Sequence, residues 1–260
     1  MYRLFARLRE LASILTWRIK PAKRRPIRRV KLSVQMLEER EVPANILWIA
    51  GADDNWNVAA NWGIIGQQGT QLPTDNDVLY FDPNQTGGTK QGTNFNSVCN
   101  MAELWVSGIV MGPGYTGTVS INQPLETSFL TFNSGTIDGP ATLTVKQGGT
   151  WANGTMKGNG ITTLTGGTFE IQTNTVTIDT RTFNVGINGE VNWIAGTIAV
   201  KNATINNSNS FTANSDNALT MSLTGTSAFN NLGGATFNKK GAGTLEVLVP
   251  FNNNLGTVPG

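Results

Sequence analysis

The stretch WANGTMKGNGITTLTGGTFEI, residues 151–171, decides the fold, because its pattern returns as WIAGTIAVKNATINNSNSFTA at residues 193–213. A gapless alignment at a shift of 42 pairs Trp151 with Trp193, Gly154 with Gly196, Thr155 with Thr197, Thr162 with Thr204 and Phe169 with Phe211. Shorter copies recur as well: FNSGTIDG from Phe132 matches WANGTMKG at a shift of 19, and FNNLGGATF from Phe229 matches FNNNLGTV at a shift of 22. The longer shift is therefore two units of about 21 residues each, a period typical of repeat architectures.

Within each unit, apolar and polar residues alternate, as in TLTVKQ and TFEIQTNTVTID. A unit this short does not fit a propeller blade, and it lacks the leucine signature of a horseshoe repeat. Alternation with Gly-Thr and Asn-Gly steps at the corners predicts an all-β fold, a right-handed parallel β-helix with coils of about 20 residues over 99–260. The shared place of Trp151 and Trp193 predicts that both pack inward or at a corner, stacked two coils apart.

The asparagine-rich stretches NNSNS (206–210) and FNNN (251–254) have two interpretations. One is low-complexity disorder, and the other is ordered corners at which side-chain amides bond to the next coil. Phenylalanine recurs at the coil spacing, which favours the ordered corners. The ending NNNLGTVPG falls inside an expected coil, so we expect a chain truncated from a longer product, or a last coil covered by a partner.

Residues 45–98 carry three tryptophans, two Asn-Trp pairs, Pro73 and the alternating segment DVLYFD. This order resembles the opening unit of autotransporter-passenger and adhesin-like proteins, which the resemblance implies is followed by β-solenoid repeats. Trp48, Trp56 and Trp62 are expected to cap the first coil, and the alternative is a platform that stacks on sugar rings. The Asp and Asn residues at 53–55, 75–77 and 82 could bind calcium, although turn formation explains them more simply.

Residues 1–44 form a basic head, predicted to be disordered or a short amphipathic helix. Residues 1–43 hold 12 of the 19 Lys and Arg residues and four of the acids. Composition alone allows a solvated tail, a membrane-surface segment or a nucleic-acid tail. The head ends in an acidic, proline-terminated motif made of Leu37, Glu38, Glu39, Arg40, Glu41, Val42 and Pro43.

This motif resembles the end of the Arg-rich leader found in planctomycete extracellular and surface proteins, with Glu39 where aspartate is usual. The resemblance implies that the leader engages the export machinery and that the protein works outside the cell or at the cell surface. The match is confined to the head and concerns destination only.

Composition excludes several functions for the body. Residues 44–260 have 7 bases and 13 acids, a net charge of −6, so we expect no nucleic-acid partner. The chain has no histidine and one cysteine, Cys99, which removes the usual catalytic base and any thiolate metal cluster. No catalytic residue, metal site, cofactor or transmembrane segment is predicted. If a site existed, Asp179 and Arg181 would be the first candidates, because residues two apart on a strand share a face; the alternative is a surface ion pair.

We therefore expect an exported, non-enzymatic structural or adhesin-like surface protein. The alternative is a carbohydrate-binding or carbohydrate-active β-helix, with a cell-surface or matrix polysaccharide as its partner. Trp48, Trp56 and Trp62 are then the candidates for stacking on sugars, and a groove between Trp151 and Trp193 would favour this alternative.

Overall fold

Short segments of alternating apolar and polar residues form β-strands along the whole described part of the chain. The structure is a computed structural model that describes residues 43–50, 52–85 and 95–253. The first strands are β1 (Asn45–Trp48), β2 (Trp62–Ile64), β3 (Val78–Phe81), β4 (Ser97–Cys99), β5 (Leu104–Met111), β6 (Thr118–Ile121), β7 (Leu125–Phe132), β8 (Thr136–Asp138), β9 (Thr142–Val145), β10 (Gly148–Trp151), β11 (Gly154–Lys157) and β12 (Ile161–Leu164). The later strands are β13 (Gly167–Ile171), β14 (Thr175–Asp179), β15 (Thr182–Val185), β16 (Gly189–Trp193), β17 (Thr197–Lys201), β18 (Thr204–Asn207), β19 (Ser210–Asn214), β20 (Leu219–Thr224), β21 (Ala228–Asn231), β22 (Thr236–Lys240), β23 (Leu245–Val247) and β24 (Phe251–Asn253). The only helical element among the described residues is a 3-10 turn at Ala59–Asn61.

Each coil contributes one strand to each of three faces, and strands of successive coils pair in parallel. Face 1 contains β10, β13, β16, β19 and β22, face 2 contains β4, β6, β8, β11, β14, β17, β20 and β23, and face 3 contains β9, β12, β15, β18, β21 and β24. The long strands β5 and β7 run through face 3 and bend directly into face 1. This arrangement confirms the predicted parallel β-solenoid.

The length of a coil follows from the pairing register. Leu125 pairs with Leu143 across a short coil, and Ser210 pairs with Thr236 across a long one. These two lengths lie on either side of the predicted coil of about 20 residues, which is confirmed. The predicted pairs also hold: Trp151 pairs with Phe132, and Phe229 pairs with Phe251.

The gapless alignment is wrong between its tryptophan and phenylalanine positions. Thr155 stacks two coils later on Ala199 instead of Thr197. Thr162 stacks through Phe183 on Ile205 instead of Thr204. Some corners contain one or two residues more than the equivalent corner of another coil, and later corners contain correspondingly fewer. The register therefore shifts inside the repeat, while the pairing of Trp151 with Trp193 and of Phe169 with Phe211 stays at 42 residues.

The core consists of inward rows that run from coil to coil. One such row, the Trp151 row, contains Phe81, Met111, Phe132, Trp151, Ile171, Trp193 and Ala213, all buried. Rings within it stack, with the centroids of Phe132 and Trp151 5.6 Å apart and an interplanar angle of 12°. Because each inward side chain packs on the coils before and after it, stability comes from contacts between neighbouring coils.

A left-handed residue forms the corner between face 2 and face 3 in five successive coils. These residues are Gly139, Gly158, Thr180, Asn202 and Gly225, with φ between 47° and 101°. Glycine adopts this conformation without steric cost, and asparagine tolerates it. Thr180 does so with its hydroxyl oxygen accepting a hydrogen bond from the Gly158 N–H at 3.1 Å. Each corner turns the chain after the last residue of its face 2 strand.

The region before the coils joins the solenoid through β3, which pairs in parallel with β5. Strand β1 pairs with β3 in parallel and with β2 in an antiparallel manner. Three tryptophan rings and Phe81 form one cluster there, with centroids of Trp48 and Trp62 5.0 Å apart and of Trp56 and Phe81 5.8 Å apart. Since Phe81 begins the Trp151 row, these rings cover the end of that row.

Most of the basic head lies outside the described residues. The leader-motif residues Leu37, Glu38, Glu39 and Arg40 belong to that part, and Pro43 is the first described residue. The predicted ending of the chain, residues 254–260, also lies outside it.

Candidate functional site

The three tryptophans expected either to cap the coil or to stack on sugars are buried. Trp48 is 5% exposed, and Trp56 and Trp62 are 0% exposed. Stacking on a pyranose needs an open ring face, which none of the three presents. The expectation of carbohydrate stacking at these residues is therefore corrected: their faces are occupied by one another and by Phe81.

The Asp and Asn residues of the same region serve as turn and backbone acceptors. The buried Asp77 accepts hydrogen bonds from the N–H groups of Ala44 at 2.7 Å and Thr74 at 2.8 Å. The buried Asn61 amide bonds to Asp53 and to the Asn55 carbonyl. Within the described ranges, no group of three or more His, Cys, Asp or Glu side chains could hold a metal ion.

Trp151 and Trp193 line no groove. Both are fully buried, and they stack two coils apart through Ile171, as their shared place in the repeat predicts. Each indole N–H donates to a carbonyl two residues later, Trp151 to Asn153 at 3.0 Å and Trp193 to Ala195 at 2.9 Å. The tryptophans thus satisfy their polar atom at the corner and fill the core.

Arg181 and Asp179 form neither a catalytic pair nor a surface ion pair. The side chain of Arg181 points inward and is 1% exposed, whereas Asp179 ends strand β14 on the outer surface. The left-handed residue Thr180 lies between them and rotates the chain at the corner. The expectation that they share a face fails because that rule applies only within an uninterrupted strand.

All five N–H groups of Arg181 have acceptors. The Nε atom donates to the Thr162 hydroxyl at 2.8 Å. The terminal nitrogens donate to the carbonyls of Gly139, Ala141, Lys157 and Ile161 at 3.1 to 3.3 Å. Burial lowers the pKa of Arg181 to about 10, and the charge of Asp138 opposes that shift. The residue is a structural clamp between coils.

Asparagine side chains form two hydrogen-bonded ladders, whose members lie in strands. The outer ladder joins Asn184, Asn206, Asn230 and Asn252 by hydrogen bonds of 2.8 to 2.9 Å between their side-chain amides. The inner ladder joins Asn207 to Asn231 at 2.7 Å and Asn231 to Asn253 at 3.0 Å. Ordered amides that bond between coils are confirmed. Their placement at corners holds for Asn209, which lies between β18 and β19 and donates to the Gly189 carbonyl at 3.0 Å. It is wrong for the ladder residues, because they occupy β15, β18, β21 and β24.

The outer ladder continues one outward row of face 3 that begins at an exposed tryptophan. The row runs Trp105, Glu126, Thr144, Thr163, Asn184, Asn206, Asn230 and Asn252. Trp105 is 36% exposed, the only such tryptophan among the described residues. Lys146 Nζ lies 6.0 Å from the ring centroid of Trp105 and 2.5 Å from Glu126 Oε2. We call Trp105, Glu126 and Lys146 the Trp105 cluster.

Sequence reasoning missed the Trp105 cluster, although a signal was present. Leu104 and Val106 flank the tryptophan and are both buried, so alternation alone places Trp105 on the outer surface. The chemistry of the cluster suits a polyhydroxylated ligand, with an aromatic face, a carboxylate acceptor and an ammonium donor together.

Comparison with protein-family models, with curated proteins and with solved structures finds no match to this chain. Among the residues that the structure describes, there is no helix with the length and apolar character needed to span a bilayer.

Proposed function

We propose that this chain is an exported, non-enzymatic structural protein of the cell surface, adhesin-like in type. The observation that carries the proposal is the outward rows, in which polar side chains of successive coils stand in register over many strands. Such rows give a regular, weakly charged surface suited to repeated contact with other surface material. The resemblance of the leader motif supports export, with the export machinery as the partner of the head.

Localisation tests this proposal directly. Antibody detection on intact cells, combined with sequencing of the mature N-terminus, is expected to find the protein outside the cytoplasm and without the basic head. If the only form found is cytoplasmic and retains Met1, that result would contradict export.

A carbohydrate-binding role is the second candidate, and the Trp105 cluster is the observation that favours it. The cluster begins a row of hydroxyl and amide side chains spaced at about 4.8 Å per coil. An extended polysaccharide could stack one ring on Trp105 and align its hydroxyls along that row.

Substitution of the tryptophan tests this candidate. Affinity electrophoresis in gels containing surface or matrix polysaccharides is expected to show retardation of the unmodified chain and its loss in Trp105→Ala. Ile187→Ala provides the matched control, since Ile187 is exposed outside this row. Equal retardation of Trp105→Ala and the unmodified chain would exclude the cluster as the binding site.

A further inference from the structure

Face 2 carries an outward row of four charged residues whose signs alternate from coil to coil. The row contains Asp138, Lys157, Asp179 and Lys201. Lys157 pairs in register with Asp179, and Asp179 pairs in register with Lys201. Successive charged residues are therefore one strand spacing apart, ~4.8 Å. We call these four residues the charged row.

Two of the four side chains in the charged row have no partner among the residues that the structure describes. Lys157 Nζ lies 3.4 Å from Asp138 Oδ2, and both side chains are partly exposed to solvent. Asp179 and Lys201 are paired through their backbones, yet in the described part of the chain their side chains enter no ion pair or hydrogen bond. Both charges are thus available to a second molecule.

The outward side chains on either side of the charged row are short. The neighbouring outward row contains Thr118, Thr136, Thr155, Thr177, Ala199 and Ser222, none larger than threonine. On the other side lie the corner residues, most of them glycine. The long lysine side chains can therefore reach another flat face without obstruction.

Charge complementarity identifies the occupant. A polyanion or a polycation gains no net electrostatic attraction from the charged row, because the charges of the row cancel. A second row of alternating charges with the same spacing can instead pair with the charged row residue by residue. Read in reverse, the charged row is its own complement. A twofold axis between Lys157 and Asp179 places Asp138 opposite Lys201 of a second copy, and Lys157 opposite its Asp179.

We propose that face 2 associates with face 2 of a second copy of this chain, in antiparallel orientation, through the charged row. The contact does not depend on any ligand or on the location of the protein. Exposed ion pairs each contribute little, so the dimer is weak, reversible and sensitive to salt.

Sedimentation equilibrium of the full chain at low and high salt tests the proposal. At low salt, we expect a concentration-dependent dimer of the unmodified chain, which high salt dissociates. Lys157→Glu and Asp179→Lys, made singly, each set two like charges against each other in the antiparallel pair, and each is expected to weaken association at least tenfold. The double variant restores opposite charges at every contact and is expected to restore the dimer.

Glu190→Lys provides the control for a change of net charge, because Glu190 lies on face 1 and outside the charged row. Circular dichroism of each variant confirms that it is folded. A monomeric unmodified chain at low salt overturns the proposal, as does a dimer that both single variants retain or that the double variant fails to restore.

Discussion

Arg181 shows how one residue can join three successive coils. Its guanidinium bonds to the carbonyl of Gly139 in one coil and to that of Lys157 in the next, while its own backbone belongs to a third. An arginine with every N–H paired is compatible with a nearly complete burial that would otherwise be costly.

Replacing Arg181 by lysine tests this clamp. An ammonium group has three donors on one atom and cannot reach five acceptors around a planar fork, so buried carbonyls lose their partners. We expect the free energy of unfolding to fall by about 3–5 kcal/mol. Denaturant titration measures it, with exposed Glu190→Gln as a control expected to change stability by less than about 0.5 kcal/mol. Equal stability of the two variants would contradict the clamp.

Cys99 predicts a dependence of stability on alkaline pH. Burial raises the pKa of its thiol from 9.0 to about 12. The unfolded chain therefore releases this proton first, and the stability that the buried thiol contributes is lost as the pH rises above 9. We expect a loss of about 1 kcal/mol between pH 9 and pH 10.

Denaturant titrations at these two pH values check the prediction. Cys99→Ala is less stable at both, but it should lack the thiol's share of the pH dependence. An unchanged dependence in Cys99→Ala would show that another group is responsible.

At the scale of elements, the two asparagine ladders on face 3 differ in burial although their residues are adjacent. Asn207 is fully buried and donates to Asn231 and to the Thr236 carbonyl. Asn206 is half-buried and bonds to Asn184 and Asn230. Water can replace a lost amide in the outer ladder, but cannot do so readily in the inner one.

Alanine substitutions at these neighbours form a matched pair. Asn207→Ala leaves the buried side-chain oxygen of Asn231 without its donor and is expected to lower the free energy of unfolding by about 2–3 kcal/mol. Asn206→Ala is expected to cost about 0.5–1 kcal/mol, the net value of an ordinary hydrogen bond. Thermal or denaturant unfolding of both variants provides the measurement. A larger loss for Asn206→Ala would contradict the distinction between the ladders.

At the scale of the whole solenoid, each coil contacts mainly its neighbours. A destabilising substitution in one coil should therefore loosen that coil and its neighbours only. Trp193→Ala leaves a large cavity in the inward row and is expected to cost about 3–5 kcal/mol. Hydrogen exchange should increase in β16 and in its neighbours β13 and β19, while the distant β5 keeps its protection. Exchange measured by mass spectrometry checks this, and a uniform increase over all described strands would indicate one cooperative unit instead.

The sequence by itself determined the fold class, the coil length and the stacking of Trp151 with Trp193. Alternation assigns inward and outward residues within a strand, and the recurrence of large aromatics marks equivalent places in successive coils. The same reasoning fails across a corner. Read back from the buried Phe183, alternation places Arg181 inward, whereas read forward from Asp179 it places Arg181 outward; the left-handed Thr180 decides between them.

Only the tertiary structure decided which rows stack and which surfaces remain open. The register of a row depends on how many residues each corner absorbs, which the pattern within a strand does not contain. Whether a tryptophan is buried depends on the rings around it, so Trp48, Trp56 and Trp62 pack together while Trp105 keeps an exposed face. The charged row arises in the same way, because its residues lie about one coil apart in the sequence and meet only when the coils stack.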